Sequence, residues 1–214
     1  MSDRGPRSRR ARRGQAFTLE GVAAALVLVA ALAMSLQAVV VTPTTRGTVD
    51  EDVRTGLRQQ ADDALSLAAS DDPADLSYLV RNWQPNGQTF VGAENPQIGY
   101  GMAGPPLLLG RLLNTTFTQR GYLYNVEVVY RTDDPGRTRR LTMVRQGTPD
   151  ENAVVASRGV TLYDNMTLTS PGAGDAELWE YDTTLADGDG GYYPVPDVVD
   201  GPVYNHVEVR VVVW

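Results

Sequence analysis

Residues 22–41 read VAAALVLVAALAMSLQAVVV, an apolar run interrupted only by Ser35 and Gln37. At ~1.5 Å of rise per residue, a helix of that length spans about 30 Å, the thickness of a bilayer's hydrocarbon core. No charged residue lies between Glu20 and Arg46. The stretch therefore reads as a transmembrane helix, taken over residues 16–41. A cleaved secretory signal is the other reading of such a run, with an apolar core of about 7–15 residues ending at small side chains. Ala31-Leu32-Ala33 offers such an end.

Outward from the span the charge divides sharply. Residues 1–15 carry six Arg (4, 7, 9, 10, 12 and 13) against Asp3, a net +5, whereas Arg46 to Trp214 carries 13 Arg and 24 Asp plus Glu, a net −11. By the positive-inside rule, residues 1–15 form a basic cytoplasmic leader. Residues 42–47 are a linker and residues 48–214 an extracellular domain in a single-pass membrane protein. An acidic domain of this kind repels phosphate backbones, which argues against a nucleic-acid partner. Every basic residue is Arg and none is Lys. Together with the acid content, that composition suggests a proteome adapted to high salt. Cysteine is absent and histidine occurs once, as His206, so thiolate chemistry and histidine-rich metal sites are excluded.

The junction before the span reads Arg12-Arg13-Gly14-Gln15-Ala16-Phe17-Thr18-Leu19-Glu20. It resembles the class III signal of type IV prepilins, in which a basic leader and a Gly at the cleavage junction precede Phe-Thr-Leu, a Glu and an apolar helix. The resemblance implies recognition by a prepilin peptidase at Arg13, Gly14, Gln15, Ala16, Phe17 and Glu20. It also implies pilin-like subunits as partners through the N-terminal helix, with a Glu at the fifth mature position aligning neighbours. Cutting after Gly14 puts Glu20 sixth, and cutting after Gln15 puts it fifth. The wider layout, with its GQAFTLEGVAAAL start, the segment AVVASRGVTLYD and an apolar C-terminal strand ending in Trp, is similar to an uncharacterised family of pilin-like haloarchaeal membrane proteins. That likeness implies an architecture and no activity.

The outer segment predicts an α+β fold, a helix packed on an antiparallel sheet in pilin-like fashion. Pro43 and Gly47 break the first helix. Thr48-Val49-Asp50-Glu51 reads as a capping box, and Val49, Val53, Leu57, Ala61, Leu65 and Ala68 follow at helical spacing to about Ser70. A short helix is expected from an Asp72 cap to Trp83, and another over Leu107–Leu113. Tyr122–Tyr130 alternates, turns at Asp133-Asp134-Pro135-Gly136, and returns over Arg139–Gln146 as a hairpin. Ala153–Asp164 and Val203–Trp214 supply two more strands. On the last strand, Val203, Val207, Val209, Val211 and Val213 are expected on one face, with Tyr204, His206, Glu208 and Arg210 on the other.

Little in this domain points to catalysis. His206 lies on the polar face of a strand with no nucleophile elbow and no second candidate base, so the chain reads as non-enzymatic, without cofactor or small-molecule substrate. Asp187-Gly188-Asp189-Gly190-Gly191, with Asp182 nearby, offers oxygens to a calcium ion but lacks the spacing of an EF-hand and reads as an acidic turn. Arg137, Arg139 and Arg140 read as solvated or carboxylate-paired, and Trp179, Tyr192 and Tyr193 as core. Asn114-Thr115-Thr116 and Asn165-Met166-Thr167 are N-glycosylation acceptor tripeptides. The function expected is a membrane-anchored pilin-like structural or surface protein, a subunit or minor component of a type IV pilus-like system. The alternative is a permanently anchored extracellular binding or envelope domain that does not assemble into filaments.

Overall fold

A computed structural model describes residues 20–32, 45–85, 88–181, 183 and 191–214. The chain divides into two units, Met1–Thr48 and Val49–Trp214. In the first, residues 20–32 form helix α1. Among the described residues, no helix is long and apolar enough to cross a membrane. Residues 16–19 and 33–41 of the expected span lie outside the described ones, as do the leader at 1–15 and most of the 42–47 linker.

The second unit is α+β. Helices α2 (Thr45–Ala68), α3 (Leu76–Val80) and α4 (Leu107–Thr116) precede strands β1 (Tyr124–Arg131), β2 (Thr138–Arg145), β3 (Val154–Tyr163) and β4 (Val203–Val213). The four strands make one antiparallel sheet in the order β2-β1-β4-β3. β4 pairs on one side with β1 (Val128 opposite Val209) and on the other with β3 (Ala156 opposite Val211). Its Val207, Val209, Val211 and Val213 are all buried, and Tyr124, Val126, Val128 and Tyr130 of β1 bury on the same face. Period-2 alternation along a central strand thus gives the sheet one apolar side.

Helix α2 contributes Leu57, Ala61, Ala64, Leu65 and Ala68 to that core, joined by Leu109, Leu113 and Phe117 from α4 and its C-cap. Arg158 Nη1 of β3 donates to Ser66 Oγ of α2 at 3.3 Å. In α2 two details differ from the sequence expectation. The helix starts at Thr45, so Thr48 is inside it and not its cap. Val53 is 46% exposed. The stripe 57, 61, 64, 65, 68 continues backwards to Arg54, which is half-buried beside Glu51 at 3.7 Å, and so turns Val53 to the outside. α3 is capped by Asp75, whose side chain accepts from Tyr78 N at 2.8 Å, and not by Asp72. α4 begins at Leu107 as expected and runs one turn further, to Thr116. A Cβ at Gly110 would overlap the Pro105 carbonyl oxygen, so the start of α4 packs on the preceding chain only as glycine allows.

Tyr204 also departs from its expected face. Leu162 pairs with Asn205 and Tyr163 with Val203, which leaves Tyr204 as the extra residue of a bulge. The alternation slips there, and Tyr204 turns inward with its hydroxyl donating to Val195 O at 2.6 Å. Asn205, wholly buried, donates to Pro196 O at 2.8 Å and Arg131 O at 3.1 Å. Tyr100 is likewise buried, its hydroxyl donating to Val91 O at 2.9 Å.

Leu57→Asp should therefore destabilise the domain by roughly 3 kcal/mol or more, through lost burial and a carboxylate without a partner. Val53→Asp should change stability by no more than about 0.5 kcal/mol. Urea denaturation of the two variants checks both. In alkali, burial lifts the Tyr100 hydroxyl from 10.0 to about 12 and pushes Tyr193 and Tyr204 upward as well. A folded value above the unfolded one gives stability that is intact below pH 10 and lost as the pH climbs to 12. Tyrosinate absorbance from these residues should rise together with the loss of circular dichroism, and not before it.

Candidate functional site

Of the junction residues, Arg13, Gly14, Gln15, Ala16 and Phe17 lie outside the described residues. Glu20 is the first described residue of α1 and is exposed. Along α1, Val22, Leu26, Val27, Leu28, Val29 and Leu32 are 61–69% exposed. Four of these are consecutive and so point in all directions around the helix axis. Uncovered apolar surface of that kind costs roughly 1.5–3 kcal/mol per side chain in water relative to an apolar environment.

The two acceptor asparagines are both exposed but stand in different backbone settings. Asn114 is inside α4, where Thr115 Oγ1 bonds back to Arg111 O at 2.9 Å. Positions two apart on a helix do not face one another, so Asn114 and Thr116 point to different sides. Asn165 follows β3 in an exposed turn, and Thr167 lies in an extended bridge with Glu177.

The sheet's other face bears the polar residues. Arg140 lies 3.5 Å from Glu127 across β1 and β2, and Arg210 lies 3.2 Å from Glu208 on β4. Arg137 pairs with Asp134 at 3.3 Å in the hairpin turn, so two of the three Arg in that basic spot are carboxylate-paired, and Arg139 stands beside the Tyr130 hydroxyl. His206 Nδ1 is 3.2 Å from Thr161 Oγ1 on the neighbouring strand, at an exposed site. A groove of about 490 Å³ is lined by Glu51, Arg54, Arg58 and Asp62 of α2 together with Ser157, Glu208 and Arg210. A second cleft, about 860 Å³, lies between the β1–β2 turn and residues 197–201. Both are open and mixed in charge, suited to solvated polar contacts more than to enclosing an apolar ligand.

Ser157 had no signal in the sequence, since only the β3–β4 register places it opposite Arg210 and beside Glu208. A hydrogen bond from Ser157 holds the Glu208 carboxyl below its usual 4.5, aided by Arg210 and opposed by partial burial. Trp179 is a correction to the expected core: it is 59% exposed, because Leu178 takes the buried position in its 3₁₀ turn. Tyr193 is fully buried as expected, and Tyr192 is partly so. The Asp187–Gly190 loop and Asp182 lie outside the described residues. Among the described residues, no three His, Asp or Glu gather into a metal-holding group.

Ser157→Ala should move the Glu208 titration upward toward 4.5, read by carboxyl-carbon NMR. Because the native value is depressed, Glu208 adds stability that is lost as pH falls through it. The variant should show less of that acid loss.

No curated protein and no solved structure shows a significant match to the chain. One family model does match, over residues 13–213, so that it takes in the junction, the apolar run and all four strands. The chain belongs to that family, a family of unknown function (DUF7288).

Proposed function

We propose that the protein is a single-pass, pilin-like component of the cell surface, with its N-terminus in the cytoplasm, an anchor over residues 16–41 and its α+β domain outside. Its role is structural, in or beside a type IV pilus-like assembly, and not enzymatic. The observation that carries this reading is the apolar surface of α1, exposed on every side within a run that has no charge from residue 21 to residue 45. Lipid, or the apolar helices of neighbouring subunits, would cover that surface. The basic leader and acidic domain set the orientation. The family match supports treating anchor and domain as one unit, because it begins at Arg13 and ends at Val213.

In this reading Glu20 stands at the edge of the hydrocarbon, where a carboxylate is costly unless paired. The α-amino group freed by leader removal on an adjacent subunit would be a suitable partner. An intact leader would instead favour the permanently anchored binding or envelope domain, whose contact surface would be the open charged face of the sheet.

The N-terminal sequence and intact mass of the membrane-bound protein decide between the two. Processing predicts a start at Gln15 or Ala16 that disappears when the prepilin peptidase gene is deleted. An intact leader rules out the pilin-like role and leaves the anchored domain. A start at Met34 rules out the anchor, since the run would then be a removed signal.

A further inference from the structure

Thr167 and Glu177 form an antiparallel bridge, and Leu178 N donates to Met166 O at 2.8 Å. Just beyond that bond stand Asn165, in the turn closed by Met166 N on Tyr163 O at 3.0 Å, and Trp179, in the 3₁₀ turn Leu178–Glu180, so that the bridge brings the two to the same end of the paired segments. Side chains alternate along such a pair. Leu168 and Leu178 accordingly bury, and Met166 packs partly against the core. Thr167 and Glu177, the bridged pair, fall on the other side. A bond from Trp179 Nε1 to Glu177 Oε2 at 2.7 Å ties the indole to that pair. The turn itself is fixed by a capping box, in which Glu177 N donates to Glu180 Oε2 at 2.7 Å. The indole is thus 59% exposed yet held in place, with its one polar group already bonded to Glu177.

We propose that Asn165, and not Asn114, carries an Asn-linked glycan, and that its first sugars lie against the Trp179 ring. A pyranose presents a patch of C–H groups that suits an aromatic face, while its hydroxyls remain in water. The inference rests on the reading that the domain lies outside the membrane, where such transfer takes place. In the modification, the Asn165 side-chain nitrogen forms a bond to the anomeric carbon of a lipid-phosphate-linked oligosaccharide. The anomeric C–O bond to phosphate breaks, and the lipid phosphate leaves with the electron pair. The amide proton passes to a base of the transferring membrane glycosyltransferase. An acceptor tripeptide must present its Asn and its hydroxyl residue to one enzyme site. Asn165 stands in an exposed turn that leads into extended backbone at Thr167, whereas Asn114 and Thr116 are held within α4 and point to different sides of it.

The test uses the full chain in a host whose envelope proteins carry Asn-linked glycans. Thr148→Cys, at an exposed position of a chain with no cysteine of its own, reports topology by labelling with a membrane-impermeant maleimide on whole cells. Glycopeptide mass spectrometry should find sugar on Asn165 and none on Asn114. N165Q and T167A should abolish it, and N114Q should leave it unchanged. Ring-current shifts of the first sugar's protons should be present in the native protein, lost in W179A and retained in W179F, with occupancy the same in all three. Maleimide labelling of the T148C variant together with a bare Asn165 overturns the proposal while leaving the topology standing. Sugar on Asn114, or sugar signals indifferent to W179A, also overturns it. Failure of the T148C variant to label overturns the topology, and the proposal with it.

Discussion

Strand β4 is the constraint on which the outer domain depends. It is hydrogen-bonded on both edges, and its buried valines meet α2 and α4 from beneath and β1 and β3 from the sides. Because side chains alternate with period 2, burying one set of valines forces His206, Glu208 and Arg210 onto the opposite face. The ion pairs of that face, and the Ser157 bond to Glu208, are consequences of the register and not separate devices.

Much of this architecture can be read in the sequence. The hairpin turning at Asp133–Gly136 and the strand ends near Val154, Tyr163 and Val203 follow from alternation and turn chemistry, which are local signals. What escapes local reading is whatever depends on pairing. Tyr204 looks outward by simple alternation, and only a bulge against β3 turns it in. Val53 fits a helical stripe on spacing alone, but the drift of a 3.6-residue helix makes Arg54 the residue that meets the domain. The same holds for the candidate sites. The acceptor tripeptides are visible as text, but the folded backbone decides that one stands in an open turn and the other inside a helix. Trp179 reads as core by composition, and its exposure follows from the one-residue choice that buries Leu178.

The polar face and the apolar anchor make opposite demands on their surroundings. The domain keeps its charges in open grooves where water and counter-ions reach them, and pairs several of them at 3.2–3.5 Å. Such exposed pairs contribute about 0–1 kcal/mol each, so the stability of the fold comes from the valine and tyrosine core beneath. Helix α1 has no such polar surface along its apolar length.

The strand order also governs how the domain is made. β1 and β2 can close on each other as a hairpin as soon as both are synthesised, but among the described residues β3 pairs in the sheet only with β4, which follows it in the sequence. During synthesis or export from the N-terminal end, a hairpin of two eight-residue strands and a solitary third strand must wait side by side with their inner edges open. Insertion of β4 then joins them in a single late step. A chain halted between Tyr163 and Val203 would leave two unjoined strand edges open to pairing with other chains.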